Sequence, residues 1–127
     1  MKYAVTTPNA PHPVGPYSQG IVSNGFLFTA GFGPQDPQTG EVADSIAEQT
    51  RQVLRNIAAV LHEAGATMGD VVTTTAHLQN LKRDFAEYNS AYAEFFGAPY
   101  PVRTTVGSEL HDILVEIDVT AALPAKP

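Results

Sequence analysis

Residues 113–121 alternate strictly between two kinds of side chain, with Ile113, Val115, Ile117 and Val119 on one side and Leu114, Glu116, Asp118 and Thr120 on the other. Period-two patterning of this kind marks a strand with one face in a core. Five further stretches read as strands: residues 2–6, two short apolar runs flanking Ser23-Asn24-Gly25, the β-branched run 71–78, and residues 102–106. Only two stretches carry helical periodicity. Two helices can cover one face of a sheet of about six strands, so the other face must meet solvent or a partner. The order β-β-β-α-β-α-β-β, with both helices on one side of a mixed sheet, defines an α+β fold.

Local signals place the elements. Asn24-Gly25 supplies the positive φ angles of a type I′ hairpin turn. Four prolines within residues 7–18 exclude a helix or central strand there and predict an ordered loop. Helix one is expected to start after Ser45, with Glu48 completing a capping box, and to stop at Gly65. Ile46, Val53, Ile57, Val60, Leu61 and Ala64 form its apolar stripe. Helix two is expected over residues 84–96, with Phe85, Tyr88, Tyr92, Phe95 and Phe96 as a core stripe and Gly97 as its stop.

Composition then narrows the function. The 127 residues suit one domain, 1–127. Thirteen acidic residues against seven basic ones give a net charge of −6, which disfavours a nucleic-acid partner. With no Cys, disulfides, thiolate metal sites and a Cys nucleophile are excluded. The four His residues lack metal-ligand spacing, and no dinucleotide or phosphate-loop motif occurs, so neither metal nor cofactor is expected. The first residues carry no apolar run and no segment reaches the roughly 20 apolar residues of a membrane span. A cytoplasmic protein without a membrane partner is the expectation.

Arg103 stands out because it lies in a strand-like apolar segment. If Val102, Thr104 and Val106 face the helices, Arg103 and Thr105 share the uncovered face with Glu116, Leu114 and Val71. Two readings follow: an internal Arg103–Glu116 ion pair, or a substrate carboxylate gripped by Arg103 with Glu116 handling protons beside it.

The stretches Gly15-Pro16-Tyr17-Ser18-Gln19-Gly20, Thr29-Ala30-Gly31, Asp36-Pro37-Gln38-Thr39-Gly40-Glu41-Val42 and Pro101-Val102-Arg103-Thr104-Thr105-Val106, followed by Val115-Glu116-Ile117, resemble the RidA/YjgF family over essentially the whole chain. The resemblance implies a chorismate-mutase-like fold, a homotrimer with a pocket at each subunit boundary, and hydrolysis of 2-enamine and 2-imino acids to 2-keto acids and ammonia. It further implies that Arg103 holds the substrate carboxylate, Glu116 activates water and Tyr17 closes the pocket. Gly31, Ala30, Phe85, Asn89 and Thr105 would line it. Ala30, Phe32 and Thr105 stand where many members carry Ser, Gln and Cys, which leaves the substrate open. The competing readings are a trimer that senses a small carboxylate, a specialised deaminase such as one for 2-aminomuconate, and, against the charge balance, a ribonuclease.

Overall fold

The turn at Asn24 and Gly25 adopts φ angles of 52° and 79°, as a type I′ turn requires, and joins β2 (Gly20–Ser23) to β3 (Phe26–Thr29) with Ser23 opposite Phe26. In the computed structural model, which describes residues 1–125, this hairpin is extended by β1 (Lys2–Val5) on one side and β6 (Val115–Ala122) on the other. The remaining strands are β4 (Val71–Leu78) and β5 (Val102–Gly107), giving the order β1-β2-β3-β6-β4-β5. Every pair is antiparallel except β4–β5. That parallel pair needs a crossover, which helix α2 (Leu81–Ala93) supplies. Helix α1 (Ile46–Glu63) packs beside α2 on the same sheet face, as the count of helices and strands demanded.

The core lies between the helices and that face. Val115, Ile117, Val119 and Ala121 of β6 meet Ala76 and Leu78 of β4, Leu27 of β3, and Val53, Leu54, Ile57, Val60 and Leu61 of α1, all essentially inaccessible to water. The opposite face stays open, with Phe26, Phe28, Val102 and Val106 exposed on it. His77 and Asp118 also lie there, and His77 Nδ1 is 2.7 Å from Ser108 Oγ. Partial burial pushes the Asp118 carboxyl above the usual carboxylate range, while His77 pulls it back.

Several local expectations need correction. Ser45 caps α1 by accepting the Glu48 N–H at 3.1 Å, but the Glu48 carboxylate turns to Arg51 rather than completing the box. A reciprocal capping box forms instead at Thr67 and Asp70, ahead of β4. Gly65 does adopt the left-handed conformation expected of it, at φ 82°. Helix α2 runs 81–93 rather than 84–96: tighter i→i−3 bonds from Glu94 and Phe95 end it, and Phe96 turns into the core. Gly97 plays no part in that stop. Strand β6 begins at Val115, so alternation does not reach back to residue 113, and Leu114, not Ile113, packs against the core. Val71 is also in the core, because a register shift between Val71 and Thr73 sends Val72 outward in its place.

The largest correction concerns β5. Arg103 pairs with Thr74 and Thr105 with Ala76, both residues of the covered face, and Thr105 Oγ1 lies 3.1 Å from the Tyr88 hydroxyl of α2. Arg103 and Thr105 therefore face the helices, while Val102, Thr104 and Val106 face outward. Val102 is 70% exposed. Arg103 and Glu116 lie on opposite faces of the sheet.

Candidate functional site

Two separate clusters result. The first is built on the β5 edge of the sheet. Arg103 points toward α2, where its guanidinium carbon lies 4.7 Å from the Tyr92 ring centroid, 5.6 Å from that of Tyr88 and 5.8 Å from that of Phe85. Cation–π attraction of this kind holds the planar head without neutralising its charge. Asn89, one turn from Phe85 and Tyr92, accepts a hydrogen bond from Arg103 Nη1 at 2.8 Å. The platform is itself anchored: the Tyr92 hydroxyl is 2.9 Å from Thr74 Oγ1, and Tyr88 is fully buried. Burial is the main cause that raises the pKa of both phenols, which therefore remain neutral hydroxyls at ordinary pH.

Arg51 and Arg83 are engaged by carboxylates, but Arg103 forms no ion pair among the described residues. Its neighbours form a cleft of about 320 Å³ lined by Asn89, Tyr92, Ala93, Tyr100 and Pro101. A fixed planar cation with unused donors, facing a cleft, has the chemistry to receive a carboxylate.

The second cluster surrounds Glu116. Phe32 exchanges two backbone hydrogen bonds with Ile117, of 2.8 and 3.1 Å, which lays Gly31 beside Glu116. A side chain at position 31 would collide with it, since an added Cβ would lie 2.8 Å from Glu116 Oε2. Glycine there lets the carboxylate rest against the main chain. Tyr17 closes the other side, its hydroxyl accepting the Val14 N–H at 3.2 Å. The loop that carries Tyr17 is pinned by buried Gln19, which donates to the carbonyls of Thr7, Ala10 and Pro11 and accepts from the Thr7 N–H. Together these form a cleft of about 300 Å³ that also includes His12, Gln35, His111 and Ile113.

Of the residues singled out from the sequence, the structure brings Arg103, Phe85 and Asn89 together, with Thr105 bonded to their platform. It brings Tyr17, Gly31 and Glu116 together elsewhere. Ala30 joins neither cleft, because its side chain packs against the core. The internal Arg103–Glu116 ion pair is overturned: β4 lies between their strands, a separation of two strand spacings or on the order of 10 Å, and the two side chains leave opposite faces of the sheet. Sequence reasoning assigned Tyr88 and Tyr92 to the core and missed that they also carry Arg103. Aromatics at 85, 88 and 92 around Asn89 were the available signal. Among the described residues, no cluster of three or more candidate metal ligands occurs and no helix is long and apolar enough to cross a membrane.

With the fold and both clusters in view, comparison with known proteins gives one consistent answer. The family model described as Endoribonuclease L-PSP matches residues 7–123. The chain belongs to that family, the RidA/YjgF proteins. It is 48% identical over 124 residues to a RutC family protein of Pyrococcus horikoshii, covering 95% of this chain and 98% of that one. It is 38% identical over 126 residues to the 2-iminobutanoate/2-iminopropanoate deaminase of Escherichia coli, covering 95% and 98%. Among solved structures, Escherichia coli TdcF with bound serine superposes with a TM-score of 0.91 at 35% identity, covering 96% of this chain and 99% of that one.

Proposed function

We propose that this protein hydrolyses 2-imino acids, and their enamine tautomers, to 2-keto acids and ammonia in a pocket shared between copies of a homotrimer. The observation that carries this reading is Arg103: a fixed guanidinium without a carboxylate partner among the described residues, facing a cleft. The deaminase relative supports the reaction, and serine bound to TdcF supports a small amino-acid-like ligand. Because Glu116 sits on the other sheet face, a pocket with both groups takes Arg103 from one copy and Glu116 from the next. The exposed apolar face with Phe26, Phe28, Val102 and Val106 supports such an assembly.

In this arrangement Arg103 holds the substrate carboxylate, its own orientation fixed by Asn89 and the Tyr92 ring. Glu116 takes a proton from a water as the water oxygen bonds to C2 of the imine and the C=N electron pair moves onto nitrogen, and Glu116 passes that proton to the nitrogen, leaving a neutral carbinolamine. Glu116 then takes the carbinol O–H proton as the C=O bond forms and delivers it to the departing nitrogen as the C2–N bond breaks. Ammonia leaves and the keto acid remains, so one water is consumed and the carboxyl group ends as it began. An imine carbon is already electrophilic, so orientation with one acid–base group suffices.

The test is keto-acid release from imines generated by an amino-acid oxidase. The protein should accelerate release, and Arg103→Ala should abolish the acceleration while the assembly persists. Binding of keto acids without acceleration would replace the enzyme with a carboxylate-sensing trimer. The charge balance disfavours the ribonuclease of the family model's description, with seven basic residues against thirteen acidic ones and a net charge of −6.

A further inference from the structure

Resting on that reading, we infer that Thr74 is a positioning residue for the carboxylate grip: its buried hydroxyl sets the Tyr92 ring, and through that ring the Arg103 guanidinium. Thr74 and Arg103 are direct neighbours on the parallel pair β4–β5, and both side chains leave the helix-covered face. Thr74 Oγ1 lies 2.9 Å from the Tyr92 hydroxyl, and the Tyr92 ring centroid lies 4.7 Å from the guanidinium carbon. The contacts close a circuit. Strand pairing joins Arg103 to Thr74, the hydroxyl pair joins Thr74 to α2, and Tyr92 leads from α2 back to the guanidinium. Asn89, on the same stretch of α2, accepts from Arg103 Nη1, so a shift of this turn moves both supports of the guanidinium at once.

Ring packing alone leaves Tyr92 one freedom. Its aromatic neighbours, Phe96 at 4.6 Å and Tyr88 at 5.8 Å between centroids, lie against it at 32° and 49°. Tilted packing of this kind admits a range of offsets, so it resists sliding within the ring plane weakly, whereas a hydrogen bond at the phenol tip fixes that slide. Both partners in the bond are buried, so losing one hydroxyl leaves the other with no water to replace it. At 1% exposure Thr74 cannot itself touch a ligand. Its influence on binding therefore travels through Tyr92. The substrate carboxylate keeps its charge and its bonds throughout the hydrolysis, so Arg103 grips substrate and transition state about equally. Loosening such a grip raises KM and leaves kcat in place. A merely structural loss does the opposite: fewer folded molecules lower the apparent kcat, and those that remain folded keep their KM.

The experiment compares the parent with Thr74→Val, Thr74→Ser, Tyr92→Phe and the Thr74→Val/Tyr92→Phe double variant. It measures steady-state kinetics on the imine that L-amino-acid oxidase makes from 2-aminobutanoate, and the calorimetric Kd for 2-oxobutanoate. Thr74→Val and Tyr92→Phe should each raise KM and Kd about three- to tenfold, with kcat within about twofold of the parent. Thr74→Ser keeps the hydroxyl and should stay close to the parent. The double variant should be no weaker than the weaker single one, because both changes remove the same bond. KM and Kd unmoved in folded Thr74→Val, whatever its Tm, overturn the role of Thr74, as does a Ser variant as weak as the Val variant or a double variant whose losses multiply. If Thr74→Val does not fold, Tyr92→Phe decides by the same criterion. Absence of imine turnover by the parent overturns the deaminase reading, and the Kd values then still decide the positioning. A parent that neither turns over the imine nor binds 2-oxobutanoate overturns both.

Discussion

Arg103 and Glu116 are held by opposite strategies. Arg103 lies on a platform made by its own chain, where Tyr88 and Tyr92 are packed into the core and Asn89 fixes the guanidinium. Glu116 lies on the face that the chain's own helices leave open, leaning on the main chain at Gly31 beneath a proline-rich loop that Gln19 pins. One half is rigid because it belongs to the core. The other is placed by a close backbone approach and by loop anchoring, and its outer wall is supplied, in the proposed assembly, by another copy. Substitutions should therefore act differently on the two halves.

The largest effects are expected at the two groups that the proposed reaction sets against the substrate. Arg103→Ala and Glu116→Gln should each reduce kcat/KM by about 10²-fold or more in the coupled assay, with thermal unfolding close to that of the parent, since both side chains lie outside the packed core. Gly31→Ala separates placement from stability on the Glu116 side. The new methyl must push the carboxylate aside, and the three atoms nearest to it all belong to that flexible side chain, so activity should fall by about tenfold or more at nearly unchanged Tm. On the Arg103 side, Asn89→Ala should be milder. The aromatic platform still holds the guanidinium, and a rise in KM of up to about tenfold is expected, checked by steady-state kinetics.

The smallest effect concerns the open face itself. An aspartate whose carboxyl is raised in the folded chain binds protons more tightly folded than unfolded, so it favours folding at low pH and loses that contribution as pH rises through its folded value. Asp118→Asn should therefore raise Tm by a few degrees or less at neutral pH and have no such effect at acid pH. An equal effect at both would break the assignment.

The sequence made β6 legible because a central strand buries one face fully: Val115, Ile117, Val119 and Ala121 all reach the core, and Glu116 is thereby fixed on the other side. The same reasoning inverted β5. Alternation separates two faces without saying which is covered, and on an edge strand the apolar residues Val102 and Val106 point outward. What decided the matter was α2, whose aromatic stripe offers Arg103 a better seat than the open face does. The Gly-Pro-Tyr-Ser-Gln motif was legible as a motif, but Gln19's work as the loop's anchor depends on carbonyls at Thr7, Ala10 and Pro11, which no pattern of side chains displays. The separation of Arg103 and Glu116 into two clusters was hidden for a similar reason, since spacing gives faces and not strand order.

The central claim is that a working pocket draws Arg103 from one copy and Glu116 from the next, and it can be tested by mixing two inactive proteins. Arg103→Ala and Glu116→Gln subunits, co-expressed in equal amounts, assort at random into a closed ring, and about a quarter of the pockets then receive an intact Arg103 and an intact Glu116. The account predicts recovery of about a quarter of the parent activity in the mixture, with none in either variant alone. A mixture as inactive as its components would show that each pocket takes both residues from one chain, and would contradict it.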